Sequence, residues 1–183
     1  MTAGNFKSRF RQRGASAVEF AFLAVIFLAL LFGIVEFSRL FFSINSVQEI
    51  TRSAAREQVV RWVTATDSVR RAAMLQPGST GTVTYPGAMD ITNQQVQLSF
   101  YNTYANAVSG TSPINYSGSA NAQTNLGNCL IGNTSCIRFV RATLRNPDGS
   151  LVDFHVLAPF MPSNVFPLPD STVIMPAEAL GLM

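Results

Sequence analysis

Between Phe20 and Val35, sixteen consecutive residues carry no polar side chain, and a carboxylate stands at each end of the run, Glu19 and Glu36. A helix that is apolar on every side has to be buried all round, in protein or in lipid. At 1.5 Å per residue the run is ~24 Å long, a little short of a ~30 Å hydrocarbon core. Ala15 to Val18 before it and Phe37 to Phe42 after it supply the missing length. Glu19 and Glu36 then lie ~25 Å apart along the axis. Each falls near an interface, where a charge costs less than the ~2.5–3.5 kcal/mol expected at a bilayer centre.

What precedes the run sets its direction. Lys7, Arg9, Arg11 and Arg13 all lie before Gly14, and positive charge just ahead of an apolar segment marks the end that stays inside. The sequence pI of about 9.2 would suit a nucleic-acid partner, but its distribution does not. Without those four cations, nine Arg face ten carboxylates and the net charge is −1. The basic character is therefore a topology signal, and no nucleic acid is expected as a partner. Residues 1–14 show no apolar periodicity, which predicts a disordered or at most weakly helical cytoplasmic leader. A cleaved secretory signal would need small residues after the apolar run. Ile34 to Phe42 offer no good site of that kind, so the segment is expected to stay with the mature chain.

Beyond the apolar run the character changes. Ile44, Val47, Ile50, Ala54 and Ala55 recur three or four apart, with Glu49, Arg52, Arg56 and Glu57 on the polar side. This predicts that the membrane helix continues as an amphipathic helix to about Thr64. A break near Thr64–Asp67 follows, then a short helix from Ser68 to Leu75 capped by Thr66 or Asp67 and ended by Gln76-Pro77-Gly78. Thr82–Tyr85, the alternating stretch Gln95–Tyr101 and the stretch Ile137–Arg145 with its basic face read as strands. Asn146-Pro147-Asp148-Gly149 predicts a tight turn, with Leu151–Leu157 as the return strand of a hairpin. Asn102–Asn128, rich in Asn, Ser, Gly and Thr, reads as one long loop. The Pro-rich stretch after Pro159 is expected to run extended, with an edge strand at Ser171–Met175. The fold class is thus α+β: a long membrane-spanning helix continues into an amphipathic helix that packs on a small antiparallel sheet domain. The expected organisation is a leader at 1–14, a transmembrane helix at 15–42, a helical extension at 43–75 and a β-rich domain at 76–183, with a long loop at 102–128.

Little in the chain suggests catalysis. Gly78-Ser79-Thr80-Gly81 lacks the Lys of a phosphate-binding loop and precedes no predicted helix. No Gly-x-Ser-x-Gly elbow occurs. His155, the sole histidine, falls in a predicted strand and reads as a structural or surface residue; Asp148 and Asp153 are scattered. No catalytic residue, metal, cofactor or small-molecule substrate is expected. Cys129 and Cys136, downstream of the membrane segment, suit one disulfide in an oxidising compartment, with two free thiols as the alternative. Asn115-Tyr116-Ser117 and Asn133-Thr134-Ser135 match glycosylation sequons, which matter only in a eukaryotic secretory pathway.

The stretch Arg13-Gly14-Ala15-Ser16-Ala17-Val18-Glu19-Phe20-Ala21, its Leu/Phe-rich continuation and Gly33-Ile34-Val35-Glu36-Phe37-Ser38-Arg39 resemble TadE-like minor pilins (pseudopilins) of tight-adherence (Tad/Flp) pilus systems. The resemblance covers residues 8 to 42, weakens through Ala54-Ala55-Arg56-Glu57, and beyond residue 80 is one of layout only. It implies a pilin-like architecture and cleavage after Gly14 by a prepilin peptidase of the bacterial inner membrane, leaving Ala15 as the mature N-terminus. Glu19 becomes the fifth mature residue, the family's hallmark carboxylate. The implied partners are the membrane, that peptidase, other pilins and minor pilins, and the inner-membrane assembly platform. Physical reasoning agrees with it. A glycine is turn-permissive where a leader meets a helix, and the Ala15 amine freed by cleavage could be neutralised by Glu19 of a neighbouring subunit. The plainer role for Glu19 is to reach the interface. Glu36 and Arg39, three apart on one helical face, are expected to form an ion pair at the other membrane boundary, with an assembly contact as the alternative. The competing function is an uncleaved, signal-anchored inner-membrane protein whose periplasmic domain scaffolds a complex.

Overall fold

The computed structural model describes residues 9–116, 121–157, 166–177 and 180. One helix, α1 (Arg9–Val60), accounts for 52 residues, a rod of ~78 Å. No residue from Gly14 to Val35 is buried. From Glu36 onward one face is covered, through Ser43, Val47, Ile50, Ala54 and Gln58. Those positions recur at helical spacing, so the amphipathic extension and its continuity with the apolar segment are as expected. The helix stops four residues before the expected Thr64. Gln58, fully buried, turns its amide nitrogen back to the carbonyls of Arg61 and Trp62, 3.1 and 3.3 Å away. These bonds secure the backbone where the α-helical ladder ends.

A 3-10 turn (Val63–Ala65) leads into α2 (Thr66–Ala73). Neither Thr66 nor Asp67 caps it: Ala65 holds the cap position without a side-chain bond. The Thr66 hydroxyl instead donates to Val63 O at 2.5 Å, and Asp67 pairs with Arg70 at 3.3 Å. At the other end Leu75 adopts φ 60°. Leu75 N–H bonds Ala72 O and Gln76 N–H bonds Arg71 O, the pattern that closes a helix through a left-handed residue.

The domain's centre is a three-stranded antiparallel sheet of β3 (Val96–Tyr101), β4 (Phe139–Leu144) and β7 (Thr172–Pro176), in the order β3-β4-β7. Leu98 lies opposite Ala142 and Ala142 opposite Val173. Alternation therefore turns Val96, Phe100, Val140, Ala142 and Leu144 inward, where they are buried. Val47, Ile50, Ala54 and Ala55 of α1 share the larger core with Ala73, Met74, Ile91, Phe154 and Leu168. β7 is the expected edge strand, and its Pro176 costs least at such an edge. A separate hairpin joins β1 (Thr84–Tyr85) to β2 (Ala88–Thr92), and β5 (Asp153–Phe154) pairs with β6 (Phe166–Pro167).

Two expectations fail here. The turn at Asn146–Gly149 forms, with Gly149 N–H on Asn146 O at 2.9 Å, but Leu151–Leu157 is not the return strand of β4. Both edges of β4 are already taken, by β3 and β7, so the chain leaves the sheet and only β5 pairs, elsewhere. Nor is 102–128 a featureless loop. It carries α3 (Tyr104–Ser109) and most of α4 (Ala122–Leu130). Thr103 Oγ1 accepts from Asn106 N–H and Asn121 Oδ1 from Thr124 N–H, each an N-terminal cap.

Candidate functional site: the exposed helix and its junction with the domain

Gly14, Ala15 and Glu19 all lie on the exposed half of α1. The helix does not begin at Gly14; it starts by Arg9 and passes through the glycine. The expectation that a disordered or weakly helical leader meets the helix at Gly14 is thereby corrected for residues 9–14, while Lys7 lies outside the described residues. Arg9, Arg11 and Arg13 belong to the helical turns just before Gly14. A Cβ at Gly14 would meet nothing within 4 Å, so its lack of a side chain serves no packing need within this chain. Ala15 and Glu19 are four apart, on the same face.

At the other end of the apolar run the geometry is dense. Glu36 is 9% exposed. One of its carboxylate oxygens receives Arg39 Nη1 at 2.6 Å, and the other accepts the backbone N–H of Leu157 at 2.9 Å. The Arg39 guanidinium carbon also stands 5.2 Å from the centre of the Phe154 ring, a cation–π distance. The expected Glu36–Arg39 pair is present, and it does something its spacing did not show: it fastens β5 and the residues after it to the helix. About one and a half turns further on, Gly87 meets Phe42. Tyr85-Pro86-Gly87-Ala88 closes the β1–β2 hairpin, with Gly87 at φ 84°, as a Pro-Gly type II turn requires. A Cβ there would come within 2.9 Å of the Phe42 ring. The hairpin thus rests on the helix by bare backbone, and Pro-Gly between two short apolar stretches was the sequence signal for it.

His155 belongs to the same junction. Its Nδ1 is 2.9 Å from Asp90 Oδ1, and its backbone N–H donates to Asp90 Oδ2 at 3.3 Å. This ties β2 to the end of β5, and with its side chain 63% exposed His155 is a surface residue with a structural bond. No group of three or more His, Cys, Asp or Glu side chains that could hold a metal occurs among the described residues.

The far pole is organised differently. Cys129 and Cys136 form the disulfide, with Cα atoms 4.8 Å apart, and so bind the end of α4 to the lead-in of β4. For a closed loop this short the chain-entropy account gives about 2–3 kcal/mol. Buried Asn125 accepts from Ile137 N–H at 2.8 Å, and Tyr116 donates its hydroxyl to Ser135 O at 2.8 Å while packing edge-on against Trp62. Beside them a cavity of about 280 Å³ opens between Val63, Leu98, Phe100, Ile114 and Tyr116.

One helix long and apolar enough to cross a membrane, none of its apolar window covered by protein, carries a small α+β domain. Together these features fit a membrane-anchored, single-pass protein. Residues 14–56 match the family model of TadE-like proteins, so the likeness to that family rests on this one segment of the chain. The match covers the apolar half of α1 and most of the half that faces the domain. No curated protein and no solved structure matches the chain.

Proposed function

We propose that the chain is a minor pilin (pseudopilin), cut after Gly14 by a prepilin peptidase, that takes part in building a tight-adherence, type IVb-like pilus used in surface adherence. The observation that carries this reading is the constellation Gly14, Ala15 and Glu19 at the head of a helix whose apolar half is left uncovered by its own domain. Before cleavage the helix is an anchor, with the leader in the cytoplasm and the domain in the periplasm. After cleavage the Ala15 amine is a new cation, and Glu19 of an adjacent subunit is its natural counter-charge in a medium where an isolated charge is expensive. Other pilins, minor pilins and the inner-membrane assembly platform are the partners this reading requires. The mature mass in cells with and without the peptidase tests it. Loss of residues 1–14 only when the peptidase is present supports it, and a chain that retains its leader in both sinks it.

The uncleaved scaffold has one observation in its favour, the continuity of α1 from Arg9 through Gly14. Gly14→Leu separates the two readings cleanly, because a side chain at that position meets open space. The pilin reading expects the variant to insert normally and lose function. The scaffold reading expects no loss.

A further inference from the structure

Among the described residues, the hydrogen bond that ties the domain to α1 nearest the apolar run is the Leu157 N–H on Glu36, and Glu36 is the first charged residue after that run. If Ala15 to Val35 spans the core, a length of ~30 Å, then Leu157 is held at the level where hydrocarbon gives way to headgroups. The surface at that level is apolar. Leu157 is 61% exposed, and Phe37, Phe41 and Phe42, on the helical turns just beyond Glu36, are exposed as well. Between the hairpin turn and the helix an open groove of about 430 Å³ is lined by Ile34, Val35, Ser38, Arg39, Phe42 and Gly87. Its lower wall, Ile34 and Val35, is the top of the span itself, so the groove is continuous with lipid.

We propose that the base of the domain is seated in the bilayer's headgroup layer, with phospholipid filling the groove between Ile34, Phe42 and Gly87. The proposal rests on the reading that Ala15–Val35 spans the membrane. Continuity with the span argues for lipid as the occupant, and the chemistry of the rim agrees. Arg39 is paired with Glu36, and Asp90 is hydrogen-bonded to His155. The junction therefore presents apolar surface whose polar groups are locally hydrogen-bonded. An amphipathic surface of this kind settles ~5–10 Å into the headgroup and acyl boundary. Seating would fix the domain's tilt against the membrane plane.

The chain's single tryptophan makes the test direct. Trp62 lies beyond the end of α1, more than ~30 Å past Glu36 along the axis, and serves as the reporter that lipid should not reach. In a Trp62→Phe background, Leu157→Trp, Phe42→Trp and Phe27→Trp are placed in full-length protein in phosphatidylcholine vesicles, with bromine on the acyl chains either close to the headgroup or close to the chain end. Leu157→Trp and Phe42→Trp are expected to lose about half of their emission to the shallow label and little to the deep one, as befits rings within ~10 Å of the boundary. Phe27→Trp should respond most to the deep label and native Trp62 to neither. Quenching at Phe27→Trp with none at Leu157→Trp or at Phe42→Trp overturns the seat and leaves the span intact. No quenching at Phe27→Trp overturns both. The two seat reporters lie on different chain segments, and the far-ultraviolet spectrum and melting temperature of each identify a variant that has not folded.

Discussion

From Gly14 to Val35, α1 buries none of its residues against its own chain, and from Glu36 to Val60 it is the wall on which the domain is built. The two halves invert the usual link between hydrophobicity and burial. The more apolar half stays uncovered, with Phe20, Phe22, Phe27 and Leu30 exposed, while the covered stripe includes Ser43, Ser46, Thr51, Ala54, Ala55 and Gln58. Small side chains let the sheet approach the helix closely, and the hydroxyls of Ser46 and Thr51 find acceptors on the helix itself, Phe42 O at 2.8 Å and Val47 O at 3.1 Å. Thr51 also meets Ser171, leading into β7, at 2.8 Å. A helix half that packs on its own domain needs shape, and a half left for lipid or neighbouring subunits needs only apolar surface.

The largest expected effect breaks or keeps that contrast. Ile50→Ala should cost about 2–5 kcal/mol of domain stability, because Ile50 is fully buried in the main core. Phe27→Ala, a larger truncation, should leave the domain's melting temperature in detergent unchanged. Equal losses would mean that the two halves are not different in kind. Next is the boundary between them. Glu36→Ala removes the acceptor of Leu157 N–H and the partner of Arg39, for about 1–3 kcal/mol. Hydrogen exchange should show the amide of Leu157 losing protection before those of β4. Smaller still, Gly33→Ala lies in open space and should change only helix propensity, by up to ~1 kcal/mol, with no shift in domain melting.

The smallest effect lies away from α1 and gives a reference for the domain alone. The Ser150 hydroxyl and backbone N–H both donate to Asp148, holding its carboxyl below the usual carboxylate range. A depressed folded value means that the contribution is present above the unfolded carboxylate range and is lost as pH falls through the folded value. In an acid titration of melting temperature, Asp148→Asn should lose that small slope and leave neutral-pH stability little changed.

The contrast also explains what could be read without coordinates. The apolar run, the three-and-four spacing from Ile44 to Ala55 and the alternation in Gln95–Tyr101 are local periodicities, and each became the expected element. Leu151–Leu157 failed because a turn signal says where the chain reverses, whereas the pairing of β4 was decided by β7, which arrives from far along the sequence. The helices α3 and α4 were hidden by composition, since Asn, Ser and Thr read as loop. Their caps were visible, though, as Thr103 three residues before Asn106 and Asn121 three before Thr124. At the junction, Glu36 and Arg39 were found by spacing. Leu157, 121 residues away, gave no such signal, because a backbone N–H is the same in every residue but proline.

The Leu157–Glu36 bond and the Gly87–Phe42 contact have a mechanical consequence. No proline interrupts α1, so it lacks the commonest cause of a kink. The domain grips it at two heights about one and a half turns apart. Nothing in that arrangement works as a swivel. If the buried end of the rod turns about its own axis, the domain must turn through the same angle, like a cam keyed to its shaft. A rotation of the exposed half of α1 about its axis would be carried into the domain through these two contacts.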